Sequence, residues 1–169
     1  MMTPRIRPET AADAAPVRAL LIATFGGTLE AELTERLRRD GEIVTSFVAL
    51  DPDGAIIGYA AFIRLVVAFD GRDVPVIGFV PLAVTPVLQR LGIGTALVLH
   101  GLAVLRDRAE ALVFVLGDPA YYGRFGFEVA AARAFECPYA GPNFMALRLR
   151  EAAPLGGRLR YPSAFTALG

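Results

Sequence analysis

The 169-residue chain contains no lysine: all 17 of its Lys-plus-Arg residues are arginine, against 17 Asp plus Glu. Tryptophan is absent too. There is one His (His100), one Cys (Cys137), one Gln (Gln89), one Asn (Asn143) and two Ser (Ser46, Ser163). Each scarcity excludes a class of chemistry. Without lysine there is no Schiff base and no Walker-type phosphate lysine. A Cys/His zinc site needs more than one of each residue, so no metal is expected. Any hydrolase triad would have to use His100 as its base. A single cysteine fits a reducing compartment and allows no internal disulfide. With alanine, arginine and glycine abundant, the missing lysine reads as coding bias rather than a demand for guanidinium.

What is present bounds the fold class. A chain of 18.0 kDa reads as one domain, and at this size roughly 70% of the unfolded surface is buried without staples. The hydrophobic fraction of 54% raises the question of a membrane span. The apolar stretch 91–105 is shorter than the ~20 residues a span needs, and it carries Gly92, Gly94, His100 and Gly101. The start, with Arg5, Arg7, Glu9 and Asp13, has no signal-peptide core. A cytoplasmic protein with no membrane partner is expected. A formal net charge of +0 argues against nucleic acid as a partner.

Hydrophobic periodicity places the elements. A short strand at 3–7 ends at Pro8, and Thr10 and Asp13 offer capping groups for a helix through Val17, Leu20, Leu21 and Phe25. A second helix is expected at 29–39. From Glu42 the period changes, and 43–50 is rich in branched residues. Strands at 43–50, 55–67 and 74–84, with turns at 51–54 and 70–71, predict an antiparallel meander. A long helix reaching about residue 108 follows, and the apolar run 111–116 reads as a buried strand. Strand, helix, strand places the two strands in parallel. Segments 127–129 and 143–149 read as a closing pair of strands. Residues 151–169, with Pro154, Gly156, Gly157 and Pro162, read as a C-terminal surface arm beyond a domain at 1–150.

The junction between the meander and the long helix carries the chemistry. Gln89-Arg90-Leu91-Gly92-Ile93-Gly94-Thr95 opens a helix directly after a strand. The first four N–H groups of a helix lack internal partners, and the helix dipole adds partial positive charge there. Glycines at 92 and 94 let an anion approach those groups, and Arg90 adds a full charge. That is a cradle for a diphosphate held mainly by backbone. A packing-only glycine start is the plain alternative. A dinucleotide fold is rejected, because Leu97 stands where its third glycine would be and too little chain remains for a second half.

The run Pro81 to Leu97 resembles the Q/R-x-x-G-x-G/A acetyl-CoA signature of the GNAT N-acetyltransferase superfamily, and Tyr122-Gly-Arg-Phe-Gly-Phe127 is similar to its Y-x-x-x-G-F element. The opening Ile6-Arg7-Pro8-Glu9-Thr10 also matches, and segments 81–84 and 116–127 resemble a bacterial subgroup of predicted acetyltransferases. The resemblance spans most of residues 5–150. It implies the GNAT fold: a mixed, mostly antiparallel sheet with a splayed parallel strand pair and helices on both faces. It also implies acetyl-CoA as cosubstrate. The backbone of Leu82, Ala83 and Val84 would pair with the pantetheine arm, and Gln89, Arg90, Leu91, Gly92, Ile93, Gly94 and Thr95 would hold the pyrophosphate. Tyr122 would protonate the departing thiolate, and Arg124 would meet the adenosine phosphate. Tyr121 reads as the core member of the tyrosine pair, although the two could exchange roles.

The chain departs from many relatives in lacking a titratable group at 79–84, where a general-base Glu often stands. Ordered water, Glu128 or Glu136 are the remaining candidates for that role. His100 falls among Leu97, Leu99 and Val104 and reads as a packing residue. Neither serine completes a triad, and nothing activates Cys137. The acceptor, a small-molecule or peptide amine, would approach by the segments 25–28 and 130–142. The second segment serves equally well as a contact between two copies in a homodimer. The leading expectation is an N-acetyltransferase using direct attack by a neutral amine. A catalytically silent acyl-CoA-binding or sensing module is the alternative, and a nucleotide-binding structural protein follows if coenzyme A fails to bind.

Overall fold

Alternation of apolar residues along 43–84 builds the centre of the molecule, described by a computed structural model for residues 3–167. The eight strands are β1 (Arg5–Pro8), β2 (Ile43–Leu50), β3 (Ile56–Phe69), β4 (Arg72–Val84), β5 (Leu112–Leu116), β6 (Phe135–Glu136), β7 (Phe144–Arg148) and β8 (Gly157–Arg160). They form one sheet in the order β1-β2-β3-β4-β5-β7, with β8 paired to β3 and β6. The longer helices are α1 (Ala14–Phe25), α2 (Leu29–Arg39) and α3 (Ile93–Asp107). The short ones are α4 (Pro119–Tyr122), α5 (Val129–Ala132) and α6 (Ala164–Ala167). Contacts divide the chain into two units. One holds residues up to 63, 80–104 and from 163 on; the other holds 64–79 and 105–162.

In the first unit, β2 is buried along its last four residues, Phe47 to Leu50. Val48 and Leu50 join Tyr59 and Ala61 of β3 and Ala83 of β4 in a core with Val17, Leu20 and Leu21 of α1 and Ala31 of α2. On the other face, α3 lies so close that a Cβ at Gly58 would meet Leu97 Cδ1 at 2.9 Å and Ile93 Cγ2 at 3.1 Å. A strand glycine at a close approach of this kind is a packing device. Helices therefore cover both sheet faces. Thr10 and Asp13 form the expected cap, and the Asp13 carboxylate also takes both guanidinium nitrogens of Arg7 at 2.7 and 3.0 Å. Those hydrogen bonds hold Asp13 well below the usual carboxylate range. Sequence patterning does not reveal a second polar cluster. There Glu9 accepts hydrogen bonds from Arg38 (2.6 Å), Ser46 (2.7 Å) and the buried Tyr59 hydroxyl (3.0 Å). Ser46 is thus committed to structure.

In the second unit, β4 and β5 pair in parallel at Ile77↔Val113 and Gly78↔Phe114, and the pairing stops there. β5 runs antiparallel to β7 from Leu112↔Arg148 to Leu116↔Phe144. Of the segment 127–129, expected as a strand, only Glu128 bridges to Ala146, and the chain then turns into α5. The segment from 151, expected as a surface arm, is corrected more sharply. Its residues 157–160 are β8, which pairs antiparallel with Val66, Val67 and Ala68 of β3 and buries Leu159. The reason is an open edge: β2 reaches only Ile63 along β3, and β8 takes the edge beyond it. Arg148 folds the intervening turn by donating to the carbonyls of Glu151, Ala153 and Pro154. The final residues of that arm, 168 and 169, lie outside the described residues.

Candidate active site

The first unit supplies a backbone cradle. At the end of β4 the N–H of Thr85 donates to the carbonyl of Ile57 at 2.9 Å, so that residue faces β3. Strand alternation then turns the amide groups of Leu82 and Val84 to the opposite edge. Ala83 contributes differently: its side chain sits in the core with α1 and α2. The carbonyl of Val84 accepts from Gln89 Nε2 at 3.1 Å and from Thr24 Oγ1 at 3.3 Å. With both lone pairs taken, an incoming strand-like ligand would find the N–H of Val84 and the groups of Leu82. Gln89 therefore folds back onto the strand end and sets the shape of the loop. Thr24 is a site-shaping residue that sequence spacing gave no means of finding.

After a single helical turn at Pro86–Leu88, the backbone takes positive φ at Arg90 (67°) and Gly92 (91°). Such alternation gathers successive N–H groups into one concavity suited to an anion. The first intrahelical bond of α3 runs from Ala96 N to Gly92 O at 3.0 Å. The N–H groups of Ile93 and Gly94 therefore have no acceptor within the helix. Ile93 and Leu97, both buried, pin this turn against Gly58. Arg90 and Leu91 are exposed at the rim, and the Arg90 guanidinium makes no ion pair or hydrogen bond among the described residues.

The second unit holds Tyr122, the acid expected from the sequence. Asp118 caps α4 by accepting from Ala120 N at 2.9 Å, with Pro119 at the first helical position. That turn lays Tyr122 over Gly117, where a Cβ would meet the ring at 2.5 Å. The ring stands edge-on to Phe79 (6.2 Å), Phe127 (5.9 Å) and Tyr121 (5.0 Å). Tyr122, rather than Tyr121, is therefore the member of the pair set among core rings. Burial, with Tyr121 beside it, pushes the Tyr122 phenol up to about 12. Its hydroxyl makes no hydrogen bond among the described residues. The result is a half-buried donor that is protonated at neutral pH and carries an uncommitted hydroxyl.

The other expected residues fall as follows. Arg124 is exposed, with its guanidinium carbon 4.7 Å above the Tyr121 ring. His100 packs edge-on against Phe47 at 4.7 Å. Glu128 is exposed, and Glu136 is exposed and 3.6 Å from Arg158. Cys137 is half-buried, and burial raises its thiol above the usual range. Among the described residues no cluster of His, Cys, Asp or Glu could hold a metal ion, and no helix is long and apolar enough to cross a membrane.

Comparison with known proteins identifies the family. A family model described as an acetyltransferase (GNAT) domain matches residues 5–130. The chain is 39% identical over 164 residues to the uncharacterized N-acetyltransferase YhbS of Escherichia coli strain K12, covering 95% of this chain and 97% of that protein. The crystal structure of Escherichia coli YhbS in complex with CoA superposes with a TM-score of 0.89 at 36% identity, covering 100% of this chain and 95% of that one. A GNAT family acetyltransferase from Brucella melitensis in complex with acetyl-CoA gives a TM-score of 0.81 at 30% identity, covering 98% and 99%.

Proposed function

We propose that this chain, which belongs to the GNAT family of acetyltransferases, moves an acetyl group from acetyl-CoA to a primary amine by direct attack, with no covalent enzyme intermediate. Acetyl-CoA is the cosubstrate, and when bound it supplies an activated thioester. The observation that carries the reading is the start of α3. A positive-φ glycine there opens a helix pinned by the buried Ile93 and Leu97, whose first N–H groups have no acceptor within the helix, immediately after a strand end that turns Leu82 and Val84 away from β3.

The residues divide the work. Leu82 and Val84 pair with the pantetheine amides in the manner of an added strand. The N–H groups from Gly92 to Thr95 hold the pyrophosphate, with Arg90 adding charge at the rim. Arg124 leaves the Tyr121 ring to meet the adenosine phosphate. Tyr122 gives its proton to the departing sulfur; a phenol held neutral is a donor to a basic thiolate. The segment 79–84 holds no titratable side chain, so the proton lost by the amine leaves through water. Where the chain acts is proposed to be the cytoplasm.

The test combines two measurements on the full chain. Calorimetric titration with acetyl-CoA reads the cradle, and a library of primary amines followed by thiol release reads the reaction. Binding together with turnover of an amine supports the proposal. Tight binding with no turnover across the library makes the chain a silent acyl-CoA-binding module instead.

A further inference from the structure

Between α5 and the segment that leads into β7 lies a cavity of about 350 Å3. Val129, Ala132, Pro142 and Phe144 supply apolar walls, and Arg133 is the one charged residue lining it. The volume falls in the ~300–1,000 Å3 range of small-molecule sites. The Arg133 guanidinium makes no hydrogen bond or ion pair among the described residues. Arg133 is exposed and shares this state with Arg90, whereas Arg7, Arg18, Arg36, Arg38, Arg64 and Arg160 each hold a carboxylate within 3.0 Å. A lone unpaired guanidinium at the edge of an apolar cavity is built for an anion that the chain does not itself supply.

The position of the cavity ties it to the reaction. Phe144 lies opposite Leu116, the last residue of β5, and the next residue, Gly117, donates to Asn143 O at 3.0 Å. That same Gly117 lies beneath the Tyr122 ring. Gly117 thus links the Tyr122 ring to Asn143, the residue that precedes the cavity-lining Phe144. The cavity and the Tyr122 ring lie on opposite faces of the sheet. Phe144 stacks on Phe114 at 5.4 Å, whereas Tyr122 packs on Phe79, which the Gly78↔Phe114 register assigns to the other face. An amine held in the cavity would therefore come from one face while the sulfur takes its proton from the other.

We propose that this cavity is the acceptor site and that it selects a primary amine carrying a carboxylate, with an apolar body between: an apolar amino acid or its equivalent. The proposal rests on the acetyl-transfer reading. A guanidinium fork matches a carboxylate in two parallel hydrogen bonds, and the apolar walls fit the rest. The absence of any acidic lining residue disfavours a polyamine. In the reaction the amine nitrogen forms a bond to the acetyl carbon, and the C–S bond breaks with its electron pair going to sulfur. Tyr122 protonates that sulfur and recovers a proton, through water, from the acetylated nitrogen. The products are an N-acetylated amino acid and the free thiol.

The experiment uses the full chain with acetyl-CoA. Leucine, methionine and phenylalanine are compared with their carboxamides, and calorimetry compares N-acetylleucine with N-acetylleucinamide. The carboxylates are expected to exceed the amides by about tenfold or more in kcat/KM and in affinity. Arg133→Ala should remove that preference through KM, leave acetyl-CoA affinity unchanged, and be partly rescued by Arg133→Lys. Equal use of acids and amides, or an unaltered preference in Arg133→Ala, overturns the proposal. So does failure of N-acetylleucine to bind more tightly than its amide, whether or not any amine turns over. If N-acetylleucine binds through Arg133 but nothing is acetylated, the cavity stands and the acetyl-transfer reading falls.

Discussion

The two halves of the proposed site are built from opposite materials. The cradle proposed at the start of α3 would work through backbone: N–H groups with no acceptor within the helix, a glycine at φ 91°, and a strand end whose amides turn outward. The acid works through one oxygen, on a tyrosine that core rings hold in place and raise to about 12. Side chains in the cradle shape the loop, as Gln89 and Thr24 do at Val84. Around Tyr122, side chains raise the phenol by burying it. The cradle should therefore tolerate side-chain changes except where a Cβ intrudes, and the acid should fail on the loss of a single atom.

The largest effect tests the acid. Tyr122→Phe keeps the ring contacts to Phe79 and Phe127 and deletes only the hydroxyl. The expected loss in kcat is about 10²–10⁴-fold, with acetyl-CoA affinity unchanged. A rate within a few-fold of the parent would remove Tyr122 from the chemistry. The pH profile sharpens the same point. A raised phenol pKa extends the protonated, competent form upward, so kcat should show no falling limb below about pH 11, one unit under the group's own value. A falling limb near 10, the ordinary tyrosine value, would place the acid elsewhere.

Next comes the cradle. Gly92→Val forces a branched side chain into the left-handed region, at a cost of order 1–3 kcal/mol, and places its Cβ where the anion must approach. Acetyl-CoA affinity should fall by about 10²-fold or more while the chain stays folded by circular dichroism; normal calorimetric binding would refute the cradle. A smaller effect is expected from beneath it. Gly58→Ala brings a methyl within 2.9 Å of Leu97 and 3.1 Å of Ile93, overpacking worth about 1–3 kcal/mol. Only part of that strain reaches the helix start, so acetyl-CoA should bind roughly three- to tenfold more weakly with kcat little altered. An unchanged dissociation constant would mean the packing yields without moving the first turn.

The same contrast explains what could be read from sequence. The cradle is local: strand end, glycines and helix start lie within 82–95, so periodicity and turn chemistry locate it together. The meander was equally visible, because 43–50 is rich in branched residues and Asp70-Gly71 marks the hairpin. Features that depend on remote partners were hidden. β8 is four residues with one buried side chain, and it is a strand only because β3 leaves an edge open beyond Ile63. Gly58 reads as an ordinary strand glycine until α3 lies against it. The tyrosine pair is adjacent in sequence, and only the fold shows that Tyr122 takes the place among Phe79 and Phe127 while Tyr121 carries Arg124 on its ring.

Arg124 gives the smallest effect and tests whether any side chain outside the concavity contributes to cosubstrate binding. Its guanidinium now lies over Tyr121 and hydrogen-bonds the Tyr121 carbonyl at 3.4 Å, so meeting a phosphate means giving up a cation–π contact. The site is exposed, where an ion pair is worth ~0.2–1 kcal/mol. Arg124→Ala should therefore weaken acetyl-CoA by about twofold to fivefold at low salt and less at high salt. It should leave the affinity for a coenzyme lacking the 3′-phosphate unchanged. If both ligands weaken equally, the residue acts by bracing Tyr121 and its neighbour Tyr122, and the division of labour between backbone and side chain is cleaner than proposed.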